Sequence, residues 1–106
     1  MSAEQLEKHR EIVHSIAAEG ALLAAEVERG RSTRPFAKIH SGDLSELADG
    51  AAKALAKPAG PSLEAERRRE KVRAVAVSDA LAQLRAHPDD TGVAARVRRK
   101  LERLSG

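Results

Sequence analysis

The stretch SLEAERRREKVRAVAVSDAL, residues 62–81, decides the fold class, because it carries the one conflict between helix and strand in the chain. Its first half spaces charges as a helix does. Glu64 meets Arg68 at i+4, Glu66 meets Arg69 at i+3, and Glu70 meets Arg73 at i+3. Its second half, VRAVAV at 72–77, is rich in β-branched residues and alternates like a strand. A strand must satisfy its backbone on a neighbouring strand, and no other segment offers one. The whole stretch is therefore predicted to be helical, within a helix over residues 63–86, and the chain to be all-α. On that helix Leu63, Val77, Leu81 and Leu84 share one face, while Val72 and Val75 point elsewhere. A helix that is apolar on two sides packs on two sides.

Punctuation places the other helices. The four prolines (Pro35, Pro58, Pro61, Pro88) fall between periodic segments, where helix-breaking residues belong. In residues 3–29, Leu6, His9, Val13, Ile16, Gly20, Leu23 and Val27 follow the alternating three–four spacing of a coiled-coil seam. Gly20 costs a helix about 1 kcal/mol relative to Ala, but the seam keeps phase across it. One continuous helix is expected, with Ala17, Gly20, Ala21 and Ala24 as a small-residue face. A second helix spans 35–57, with Pro35 in its first turn and a pause expected at Ser41-Gly42-Asp43. There Asp43 and Glu46 form a capping-box pattern ahead of Leu44, Leu47, Ala48, Ala51 and Leu55 on one face. KPAGPS ends this helix, and Ser62 is the expected cap of the next. The last helix, 91–104, starts at Asp90 or Thr91 and presents Val93, Val97, Leu101 and Leu104 as a stripe. The expected fold is a small four-helix, bundle-like single domain over residues 1–106, with a long first helix.

Composition bounds the core. Leu, Ile, Val and Phe number 22 of 106 residues and Ala 21, with one Phe and no Trp or Tyr. Alanine favours helix but adds little transfer energy, and the large side chains that dominate burial are missing. Small chains with thin cores often gain stability by oligomerising, so self-association is expected. With no cysteine, disulfides, thiolate metal sites and thiol catalysis are excluded. The acidic start MSAEQLEKHRE does not read as a signal peptide, and no apolar run approaches the ~20 residues of a membrane span. A soluble, cytoplasmic protein is expected.

The net charge of +3 is unevenly distributed. Residues 1–57 hold 8 basic and 9 acidic side chains, and residues 58–106 hold 11 and 7. Arg67, Arg68 and Arg69 point about 100° apart on a helix and alternate with Glu64, Glu66 and Glu70. That run reads as a solvated face laced with weak ion pairs, not a site. In the last helix Arg96, Arg99, Lys100 and Arg103 fall on one arc, with Arg98 on the other flank. The helix dipole and the covering of apolar edges by basic stems account for much of that arc; phosphate contact is the functional alternative. With one Phe and no Trp or Tyr, the chain lacks the aromatics that single-strand binding by stacking needs. A helix-turn-helix through HPDDTG would open its recognition helix with Gly92, Val93, Ala94 and Ala95, where base-reading side chains are expected.

The remaining polar residues suggest no chemistry. His9 reads as a polar spacer in the seam, and His9 and His14, five apart, do not make the i, i+4 pair of a helical metal site. His40 and His87 are expected at helix ends. The proximity of Ser, His and acids in HSGDLSE carries no weight without a structured oxyanion site. No catalytic, cofactor-binding or metal-binding residue is predicted, no small-molecule substrate is evident, and no membrane association is expected. The expected function is that of a non-catalytic helical interaction protein, a dimer or higher oligomer or a subunit of a larger complex. It would act through Leu6, Val13, Ile16, Leu23, Val27, Val72 and Val75. The alternative is nucleic-acid binding through Arg96, Arg99, Lys100 and Arg103.

Overall fold

The computed structural model describes Met1–Gly106 and contains four helices: α1 (Ala3–Glu28), α2 (Arg34–Ala54), α3 (Glu64–Ala86) and α4 (Thr91–Ser105). There is no strand, and VRAVAV is helical throughout. Successive helices run antiparallel. α1 packs mainly on α4 and α2 on α3, α1 also meets α3 across the centre, and α2 and α4 stay apart. The result is a four-helix all-α bundle of 46 × 21 × 16 Å, thin enough for every helix to keep an outward face.

Local chemistry explains the helix ends. Ser2 and Gln5 form a reciprocal capping box at the start of α1: the Gln5 N–H donates to Ser2 Oγ at 3.2 Å, and the Ser2 N–H donates to Gln5 Oε1 at 2.9 Å. α1 ends in a Schellman motif, with Gly30 at φ 69°, the Gly30 N–H donating to the Val27 carbonyl and the Arg31 N–H to that of Glu26. Thr33 caps α2 and Asp90 caps α4, each accepting an N–H three residues on. Ser62 does not cap α3. That helix starts at Leu63 with no side-chain cap, and Glu64 instead accepts the Ala59 N–H at 2.8 Å across the loop.

The pause expected at Ser41-Gly42-Asp43 is absent, and α2 runs through it. These residues are small because α3 lies against them. Buried Ser41 satisfies its hydroxyl on the Ala37 carbonyl at 2.6 Å, one turn back. A Cβ at Gly42 would stand 3.3 Å from Arg85 Cδ. Beyond them Ser45 and Ser78 each donate to the other's carbonyl, at 3.1 and 3.2 Å.

The core is built from Leu, Val, Ile and Ala of all four helices. Gly20 lies in the unbroken α1 where Leu81 of α3 and Leu101 of α4 converge; a Cβ there would sit 2.9 Å from each. The small-residue face thus receives side chains from two helices.

Arg67 acts as a structural clamp. Its guanidinium donates to the Leu55 carbonyl at the end of α2 and to both oxygens of Glu64, at 2.7–2.9 Å. The Arg67 hydrogen bond, followed by that of the Ala59 N–H, holds the Glu64 carboxyl down to about 2. A carboxyl lower in the folded than in the unfolded chain stabilises fully above the ordinary value near 4.5, and that contribution is lost as pH falls through about 2. Thermal melts between pH 5 and 2 should show a steeper fall in Tm for the native chain than for Glu64→Gln. Parallel curves would show that the clamp contributes nothing.

Candidate interaction surfaces

The seam that the sequence offers to a partner is used by the chain itself. Leu6, Val13, Ile16, Leu23 and Val27 are at most 6% exposed, packed among the chain's other helices. These five residues therefore do not form an outward surface. The core draws on the whole of α1 together with Val77, Leu81 and Leu84 of α3 and Val93, Val97 and Leu101 of α4.

Val72 and Val75 are outward, 69% and 42% exposed, in a shallow depression bordered by Arg67, Arg68 and Lys71. α3 is thus apolar on two sides, with one side unpartnered within the chain. Arg68 approaches Glu64 at 3.7 Å, whereas Lys71 and Arg69 make no ion pair, and the Glu66–Arg69 pair expected at i+3 does not form.

A second apolar surface is not evident from the face reading of α2. Phe36, Ile39 and Leu47 are 55%, 65% and 59% exposed on the outer arc of that helix. Leu47 was expected beside Leu44, but the buried stripe runs Ala37, Ser41, Leu44, Ala48, Ala51 and Leu55, and Leu47 falls off its edge. Leu47 lies beside the half-exposed Ile12 of α1 in a groove of about 320 Å³ completed by His9, Glu46, Gly50 and Ala51. His9 brings a buried Nδ1 with no hydrogen-bond partner to that groove. His40 is in the body of α2, not at its end; it lies against the Phe36 ring, centroids 5.3 Å apart, and reaches Glu19 at 3.4 Å. The acids Asp43 and Glu46 stand exposed along the same arc of α2. A helical projection extended to the outer arc would have shown Phe36 and Ile39 outside the buried stripe.

The four cations expected on α4 do gather. Arg96, Arg99, Lys100 and Arg103 line one groove of about 300 Å³ with Gln83 of α3 and Val97. None is within ion-pair distance of a carboxylate, while Arg98 on the other flank is bound to Glu28 at 2.8 Å and Glu102 at 2.9 Å.

One polar cluster is internal and was read as surface. Glu70 is only 5% exposed, with Arg73 Nε at 3.7 Å and Arg10 Nε at 3.9 Å from its oxygens. Arg73 also donates to His14 Nε2 and to the Leu104 carbonyl at 3.3 Å, and His14 Nδ1 lies 3.0 Å from the Ser105 carbonyl. The cluster ties the end of α4 to α1 and α3. No group of three His, Asp or Glu side chains is arranged to hold a metal, and no helix is long and apolar enough to cross a membrane.

Comparison with protein-family models, with curated proteins and with solved structures found no match to this chain. The functional reading therefore rests on these surfaces alone.

Proposed function

We propose that the chain is a non-catalytic cytoplasmic assembly protein that associates head-to-tail with copies of itself. The observation that carries this reading is a pair of exposed apolar surfaces with opposite charges beside them. Ile12 of α1 and Leu47 of α2 share a groove edged by Glu46, with Phe36 and Ile39 exposed nearer the start of α2 and Lys38, Asp43 and Arg85 around Ile39; Val72 and Val75 of α3 are bordered by Arg68 and Lys71. Exposed apolar residues next to one another mark interaction sites, and complementary fringes favour unlike surfaces over like ones. Placing the first surface of one copy on the second surface of the next gives a heterologous contact, which builds rings or filaments instead of stopping at a symmetric dimer.

Two variants separate this arrangement from a symmetric one. Leu47→Asp removes the first surface and Val72→Asp the second, each at an exposed position that leaves the core untouched. Light scattering should give each variant alone the monomer mass of 11.4 kDa. An equimolar mixture should form a one-to-one dimer that grows no further, since each partner keeps one intact surface. A mixture that stays monomeric, or a single variant that retains the native mass, would rule out the head-to-tail contact.

A further inference from the structure

We infer that the α3–α4 groove binds the phosphodiester backbone of duplex nucleic acid through Arg96, Arg99, Lys100 and Arg103. This inference is independent of the assembly reading, since it rests on different residues. The four cations occupy two turns of one helix, in like-charged pairs at i+3 and i+4 that destabilise a helix on their own. They share one groove and none of them forms a salt bridge, although Arg96 lies in the field of Asp90; most arginines elsewhere in the chain do form one. The helix dipole explains only Arg103, the one basic residue in the last turn of α4. Arg96 lies beyond the first turn and far from the C-terminal end of α4, so the dipole does not account for it. A polyanion laid along the groove relieves the repulsion of all four at once.

The surroundings select the anion. The large apolar residues of this face, Val97 and Leu101, are buried, so nothing beside the groove would enter a bilayer. No aromatic lines it, so unpaired bases have nothing to stack on. What remains is contact with the phosphates of a duplex, carried mainly by arginine, whose planar fork suits phosphate oxygens. With four cations lying along one groove, the contacts are assigned to the phosphate backbone, and sequence preference should be weak.

The test is the anisotropy of a fluorescein-labelled 20-base-pair DNA duplex titrated with the full chain at rising salt. Four phosphate contacts correspond to a slope of about −3.6 in log affinity against log salt, or about a hundredfold loss between 50 and 200 mM. Arg99→Ala with Lys100→Ala should reduce that loss to about tenfold and weaken binding at every salt concentration. Helicity and light-scattering mass should be unchanged, because neither residue belongs to the core or to the two assembly surfaces. Absence of duplex binding by the native chain at 50 mM salt, or an unchanged salt slope in the double variant, would overturn the inference. So would equally effective competition by polyglutamate of the same charge, which would assign the groove to acidic peptides.

Discussion

Leu101→Ala should lower the unfolding free energy by about 2–5 kcal/mol, and Gly20→Ala added to it should restore part of that loss. The same Gly20→Ala change in the native chain should be destabilising. Leu101 is fully buried and provides the largest apolar side chain that α4 buries in the core. Its methyl group and that of Leu81 both stand 2.9 Å from where a Gly20 Cβ would be. Both leucines are held on all sides, so neither can swing away without disturbing its neighbours. Alanine at position 20 gains about 1 kcal/mol of helix propensity but meets an overpacking cost of about 1–3 kcal/mol, for a net loss of up to about 2 kcal/mol. Once Leu101 is alanine, one of the two close contacts is gone and Leu81 can shift into the vacated volume. The propensity gain then prevails. Urea unfolding of the native chain, both single variants and the double variant measures the coupling, expected at about 1–3 kcal/mol. Additivity within about 0.5 kcal/mol would mean that α4 does not press on α1 at this point.

Arg73→Ala should be as severe, at about 3–5 kcal/mol, because it isolates a buried charge. Arg73 is the nearer of the two cations facing Glu70; Arg10 is half exposed and bonded to Glu7. Without Arg73 the buried Glu70 carboxylate keeps one distant partner, and the Leu104 carbonyl and His14 each lose a donor. Pairing Arg73→Met with Glu70→Leu removes the stranded charge as well, and similar-sized apolar replacements of buried ion pairs are often neutral. The double variant should therefore be more stable than Arg73→Ala alone. If urea unfolding gives equal losses for the two, Glu70 is solvated and the cluster is not internal.

The two predictions bear on what was legible in the sequence. Helix number and order follow from local chemistry: proline position, the Asp90 cap and the three–four seam of α1 all act within a few residues, whereas the start of α3 is set by Glu64 and the loop before it and not by Ser62. The use made of each face does not follow, because it depends on which helix lies opposite. The seam of α1 reads equally well as an internal or an external contact, and only the packing of the other helices against it shows that it is internal. Glu70 looks like any surface carboxylate at i+3 from an arginine until α1 and the end of α4 are placed beside it. Ser41 and Gly42 read as a break because small polar residues often end helices; here they admit α3. The α4 cations were legible as an arc, whereas their lack of salt bridges required the positions of Glu28 and Glu102, which Arg98 engages instead.

If the exposed apolar surfaces outside the core join copies of the chain, association must depend on concentration. In light scattering of the native protein on a sizing column, over a hundredfold range of loading concentration, masses should rise with concentration in multiples of 11.4 kDa. A single peak at 11.4 kDa across the whole range would contradict it.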